Sequence, residues 1–198
     1  HIPQMKRFAL FFPFLAFIRK KAYLIIPVCL VLLFVFWLLK PVHLFNTPYS
    51  LVLEDADGRI TGAKIAGDGQ WRFPPVDSLP DKYIRAVTCF EDKRFFYHPG
   101  VDPLAIARAL YQNTAAWEKV SGASTLTMQT VRLSRKGRER TVLEKIIEMF
   151  LAFRLECRYS KHELLRLYAS HAPFGGNVVG LRAASLRYFG RSFHHLTW

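Results

Sequence analysis

Three stretches of this 198-residue chain hold side chains able to do chemistry. The first runs Glu91-Asp92-Lys93-Arg94-Phe95-Phe96-Tyr97-His98-Pro99-Gly100-Val101-Asp102. Before it, Tyr83, Val87 and Phe90 recur at i, i+4 and i+7, the core-facing stripe of a helix, and Glu91 falls beside that stripe next to Ile84. Partial shelter at a helix end suits a general base, because desolvation disfavours a carboxylate's charge; the plainer alternative is a surface acid at a helix terminus. Asp102, before Pro103, reads as an N-cap and His98 as a loop anchor. The second stretch is Gly122-Ala123-Ser124-Thr125-Leu126-Thr127-Met128-Gln129, followed by Arg132. Small hydroxyl residues at a helix start offer side-chain donors together with free backbone N–H groups, and a downstream arginine adds charge, the ingredients of a phosphate site. A simple N-cap would use the same residues. The third stretch is a helix expected from Thr141 to Leu155, apolar almost all round and therefore expected to be buried, with Glu148 at its middle. Buried acids are rarely left unpaired, and Lys145 three residues earlier is an available partner, so a structural pair and a catalytic acid both stay open.

The elements that must position these side chains carry their own start signals. Asp81 opens one helix and Asp102-Pro103 a second, while Thr141-x-x-Glu144 and Ser160-x-x-Glu163 are capping-box patterns. Two further helices start near Ser124 and Gly180. Upstream, Tyr49, Leu51 and Leu53 alternate, and Asp57-Gly58 and Asp68-Gly69 are turn signals, which predicts a small hairpin or meander between Tyr49 and Phe73. Pro74, Pro75 and Pro80 end it, and the body that follows is expected to be mostly α.

Residues 22–39, AYLIIPVCLVLLFVFWLL, run for 18 positions without a charge. At about 1.5 Å rise each they span roughly 27 Å, close to a bilayer core. Arg19, Lys20 and Lys21 precede the run and only Lys40 follows it, so the amino terminus is expected in the cytoplasm and the rest outside. No A-x-A-like site follows, which favours an uncleaved anchor over a signal peptide. Residues 8–18 are too short to span and fit an interfacial segment. The expected organisation is therefore 1–21 cytoplasmic and basic, 22–39 transmembrane, 40–75 an extracytoplasmic β-hairpin and linker, and 76–198 the folded domain. The first 40 residues carry six of the 28 basic residues and no acid, within a net charge of +13. Basic surface attracts nucleic acid, anionic headgroups and diphosphates alike, but the membrane segment argues against nucleic acid. Cys29, Cys89 and Cys157 are odd in number with no C-x-x-C pair, which excludes a disulfide framework; they read as inert thiols buried among apolar neighbours.

Taken in order, Glu91-Asp-x-x-Phe-x-x-His-Pro-Gly-x-Asp102, Gly122-x-Ser-Thr-x-Thr-x-Gln129, Lys145-x-x-Glu148, Arg158-Tyr-Ser-Lys-x-Glu-x-Leu-x-x-Leu-Tyr168 and Gly176-x-x-x-Gly180 through Tyr188-Phe-Gly190 resemble the signature blocks of the family 51 glycosyltransferase domain. That domain occurs in class A penicillin-binding proteins and monofunctional transglycosylases. The resemblance implies a mainly α, lysozyme-like domain with a small β-hairpin, preceded by one transmembrane helix in the bacterial cytoplasmic membrane. It implies polymerisation of lipid II into β-1,4 glycan strands, with Glu91 as general base and Glu148 as second carboxylate. Asp92, Phe95, His98, Ser124, Thr125, Thr127, Gln129, Arg132, Lys145 and Arg154 would bind substrate. No cofactor is required on this reading, although Glu148 could hold a divalent cation, Mg2+ or Mn2+. The implied partners are lipid II, the growing lipid-linked chain and the membrane, with room for a transpeptidase or another cell-wall protein.

Glu144 stands where the family usually has a basic residue, and Ala169-Ser170 replaces its usual Leu-Asn. Residue 198 falls short of the family's closing helices, and none of the nine serines begins a Ser-x-x-Lys motif. An incomplete domain without a transpeptidase is therefore expected, which keeps two rivals open: an inactive lipid II-binding scaffold and a lysozyme-like glycan-cleaving enzyme.

Overall fold

The computed structural model describes residues 23, 25–36, 44–116, 122–136, 138–139 and 141–197. The chain divides into two compact units, 1–43 and 44–198. In the first, residues 25–36 are helical with exposed apolar side chains. The expected 22–39 anchor lies partly outside the described residues and the 8–18 segment wholly so. Among the described residues no helix is long and apolar enough to cross a membrane.

The second unit is mainly helical, with two small pairs of strands. β1 (Leu51–Glu54) and β2 (Ile60–Lys64) form the expected antiparallel hairpin. Asp55 sets its turn by accepting from the backbone N–H groups of Asp57 and Arg59. The second turn signal does not extend it into a meander. Instead β3 (Trp71–Arg72) pairs in parallel with β4 (Val178–Val179) from the far end of the domain.

The helices are α1 (Asp81–Glu91), α2 (Pro103–Ala116), α3 (Leu126–Ser134), α4 (Val142–Glu156), α5 (Lys161–His171) and α6 (Leu181–Phe189). Their ends follow local chemistry. Asp102 accepts from the N–H groups of Leu104 and Ala105, and Thr125 accepts from Met128. Ser160 and Glu163 close a full capping box. Thr141 accepts from the Glu144 N–H, but the Glu144 carboxylate turns away, so the second predicted box is half made.

α3 packs between α4 and α5. Leu126, Met128, Val131, Leu155, Leu164 and Leu165 meet there with almost no exposure. The loop after α1 is pinned to α4 by Gly100: its φ of +85° disfavours any side chain, and a Cβ there would sit 2.7 Å from the Ala152 backbone.

α4 corrects the expectation of a fully buried helix. Glu148, Ala152 and Leu155 are buried on one face. On the opposite side Val142, Leu143, Ile146, Phe150 and Phe153 are exposed, and they share a stripe of about 100°. An apolar run of this kind marks two faces, one against the core and one against the surroundings. The cysteines correct another expectation, since all three are exposed.

Candidate active site

Glu91 closes α1 and is exposed, not half-sheltered as its position beside the core stripe suggested. Geometry orients it instead. Gln129 Nε2, on α3, donates to Glu91 Oε2 at 2.9 Å, and the Tyr168 hydroxyl on α5 donates to Gln129 Oε1 at 3.3 Å. A carboxylate can only accept and a phenol bonded to the amide oxygen fixes which way the amide points, so Tyr168 presents the NH2 group to Glu91. Burial, then the Glu91 charge, raises the Tyr168 pKa above the usual tyrosine value, so the phenol keeps the proton it donates.

Behind Glu91 lies a buried polar frame. Asp92 accepts from the Leu126 N–H at 3.0 Å, and His98 Nε2 lies 3.0 Å from both Asp92 oxygens. Asp102 takes a two-pronged bond from Arg94 while capping α2. Burial works to raise the Asp102 pKa, but the Ala105 N–H and Arg94 outweigh it and hold the carboxyl below its ordinary value. Asp92, His98 and Asp102 bring one ligand atom each within 4.8 Å of the others. The oxygens of Asp92 and Asp102 already serve the helix starts and Arg94, and His98 bonds to Asp92, which makes this cluster a joint of the fold.

Glu148 is 4% exposed on the core face of α4, and its partner is not Lys145. Arg132, on α3, grips it with Nε and Nη2, each 2.7 Å from a different carboxylate oxygen. The same Nη2 lies 3.3 Å from Ser124 Oγ. The bond to Glu148, opposed by burial, raises the Arg132 pKa above its usual value. Arg132, Glu148, Lys145 and Ser124 line a cleft of about 590 Å³ that also contains Arg135 and Glu144. Glu91, Asp92 and Thr125 line a neighbouring recess of about 130 Å³. The two share Gly122, Ala123 and Ser124. Gln129 and Arg132 are three apart on α3, so one helix face holds one carboxylate and then the other.

Two acids so arranged around a hydroxyl-rich helix start and a set of cations suit transfer chemistry on a phosphorylated sugar, and the chain matches the transglycosylase family over residues 60–198. The chain belongs to the transglycosylase family. Penicillin-binding protein 1C of Escherichia coli (strain K12) is 38% identical over 159 residues, which is 80% of this chain and 20% of the relative. Penicillin-binding protein 1A of Aquifex aeolicus (strain VF5) is 33% identical over 158 residues, 80% of this chain and 22% of the relative. Penicillin-binding protein 1A of Escherichia coli (strain K12) is 39% identical over 144 residues, 72% and 16%. The chain thus spans about a fifth of the length of these curated relatives. The run Ala172-Pro173-Phe174-Gly175-Gly176 and the Met128-Gln129 pair point toward the 1C protein.

Not every residue expected at the site of this transglycosylase domain faces the clefts. Phe95 is 1% exposed in the main core, and His98 is buried behind the recess. Thr127 is fully buried and donates to Glu156 at 2.6 Å. Glu156 also accepts from Lys161, which donates in turn to the His98 carbonyl. These residues brace the loop. Arg154 lines neither cleft; burial, then Arg158, lowers its pKa. Ser170, where the family usually has Asn, keeps a bond by accepting from the Val76 N–H at 3.3 Å. Sequence reasoning missed Arg135, Asn113 and Arg108 among the lining residues. Arg135 was within reach of it, three residues beyond Arg132 at the C-cap of α3.

Proposed function

We propose that this domain is a peptidoglycan glycosyltransferase that polymerises lipid II into β-1,4 glycan strands and releases undecaprenyl diphosphate. The observation that carries the proposal is the double role of α3, which sets Gln129 against Glu91 and Arg132 against Glu148 on either side of Ser124. Glu91 would take the proton from the 4-hydroxyl of the acceptor sugar. The hydroxyl oxygen would attack the anomeric carbon of the lipid-linked donor, the bond to the diphosphate would break, and the configuration would invert. Ser124, Arg132 and Lys145 would hold the departing diphosphate, and Glu148 would fix the guanidinium. An open Glu91 is compatible with this role, because catalytic contacts in a substrate-free enzyme tighten only when the substrate covers them.

The residues around Glu148 do not fit a resident divalent cation. Such an ion needs several oxygen ligands, and both oxygens of this carboxylate are held by Arg132. No step here runs through a metal.

We place the domain at the outer face of the bacterial cytoplasmic membrane. Supporting this are the uncharged run at 22–39, the basic residues before it and the exposed apolar stripe of α4. A transpeptidase acting on the same strands is the partner this product calls for. Supplied with lipid II in detergent or vesicles, the protein should yield glycan polymer; supplied with finished glycan, it should yield no fragments. Fragments without polymer would replace this proposal with the lysozyme-like alternative.

A further inference from the structure

We infer that Glu144 is an internal anion that holds Arg135 in the cleft, so that a diphosphate group must displace it and the pair sets the affinity of the donor side. This rests on the diphosphate role proposed for that cleft. Arg135 Nε and Glu144 Oε1 lie 2.5 Å apart, with the side chains 27% and 14% exposed. They form a second rung beside Arg132–Glu148, three residues further on at the C-cap of α3 and one turn earlier on α4, and both rungs line the same cleft. The two rungs differ in kind. The Glu148 side chain is 6% exposed and gripped through both oxygens, so its arginine is fixed to the core. Glu144 sits at the first turn of α4, and Thr141 caps its N–H, yet its carboxylate goes to Arg135 instead of closing the capping box. The side chain has exchanged a local role for one in the cleft.

The local charges explain why proton uptake would not release Arg135. The Arg135 bond, opposed by burial and reinforced by the nearby charges of Arg135 and Arg138, holds Glu144 below the usual carboxylate range. Glu144 stays an anion at neutral pH, and a competing anion is what frees the arginine. A diphosphate carries more charge than one carboxylate and can accept from a guanidinium with two oxygens, so it is such a competitor.

The test is inorganic pyrophosphate binding by calorimetry to the full chain, with Glu144→Gln, Glu144→Ala, Arg132→Gln and the double variant Glu144→Gln/Arg135→Gln. Melting curves identify variants that still fold, and the two replacements of Glu144 back each other up. The expected result is about fivefold tighter binding for both Glu144 variants, the scale of a partly exposed charge contact, with the gain abolished in the double variant. The gain should shrink at high salt. Unchanged or weaker binding in folded Glu144 variants, alongside a loss in Arg132→Gln, would overturn the inference and leave the proposed function standing. Absence of pyrophosphate binding in every protein, the unaltered one included, would overturn both.

Discussion

Arg132 and Glu148 show how one residue's role depends on a partner that sequence proximity does not reveal. Glu148 is legible in the sequence as an acid inside an apolar helix, and a buried acid demands a cation. Lys145 satisfied that demand within a single helix, whereas the true partner comes from α3, where only the packing of two helices brings it close. Removing one partner strands the other, so Arg132→Gln should destabilise the domain by about 2 kcal/mol. This is below the usual figure for a buried pair because the Arg132 side chain is 36% exposed. Replacing both as Arg132→Met/Glu148→Leu should recover most of that stability in urea titrations while abolishing polymerisation. Recovery of activity together with stability would mean that the pair serves the fold alone. Glu91 carries the opposite lesson: Phe90, read as the last member of the core-facing stripe beside it, is 90% exposed, so the stripe stops before the helix does and the carboxylate stands in solvent.

At the scale of elements, the starts of helices were legible because caps are local. Thr125, Ser160 and Asp102 each bond within three residues of themselves. The burial of α4 was not legible, because an apolar pattern all round a helix cannot distinguish a core on both sides from a core on one side. Serine at Ile146 and Phe150 should therefore change stability by no more than about 0.5 kcal/mol, as befits exposed sites, while weakening association with anionic lipid vesicles in flotation assays. A large loss of stability would show that the stripe is buried after all. Glycines of the signature blocks have a physical cause here. Gly180 has φ of +89°, and a Cβ there would lie 2.6 Å from the Ser170 carbonyl oxygen. Gly180→Ala should cost roughly 3 kcal/mol of stability, measured by thermal or urea unfolding, from backbone strain and the clash together.

The whole second unit is tied together by contacts between distant parts of the chain, and these escaped the sequence almost entirely. Two-residue strands such as β3 and β4 have no period to detect, and their parallel pairing appears only in three dimensions. The same holds for His171, which stacks on Phe45 at 3.5 Å, lies 2.9 Å from the Leu167 carbonyl and meets the Tyr49 hydroxyl at 3.4 Å. Burial first, then Arg72 and Lys136, hold its imidazole below the ordinary value of 6.5 against the pull of the Leu167 carbonyl. The unfolded chain therefore takes up a proton that the folded one resists. Its contribution to stability is complete above pH 6.5 and declines as pH falls below that value. Melting temperature should drop over that interval, and His171→Phe should flatten the drop. The central claim is that an acid on α1 and a cation-held acid on α4, bridged by α3, form one transferase site. Turnover of lipid II by Glu91→Gln tests it most directly, since glutamine keeps an acceptor for Gln129 and removes only the base. A loss of about 10²-fold or more with an unchanged melting temperature is expected, and turnover equal to that of the unaltered protein would contradict the general-base role proposed for Glu91.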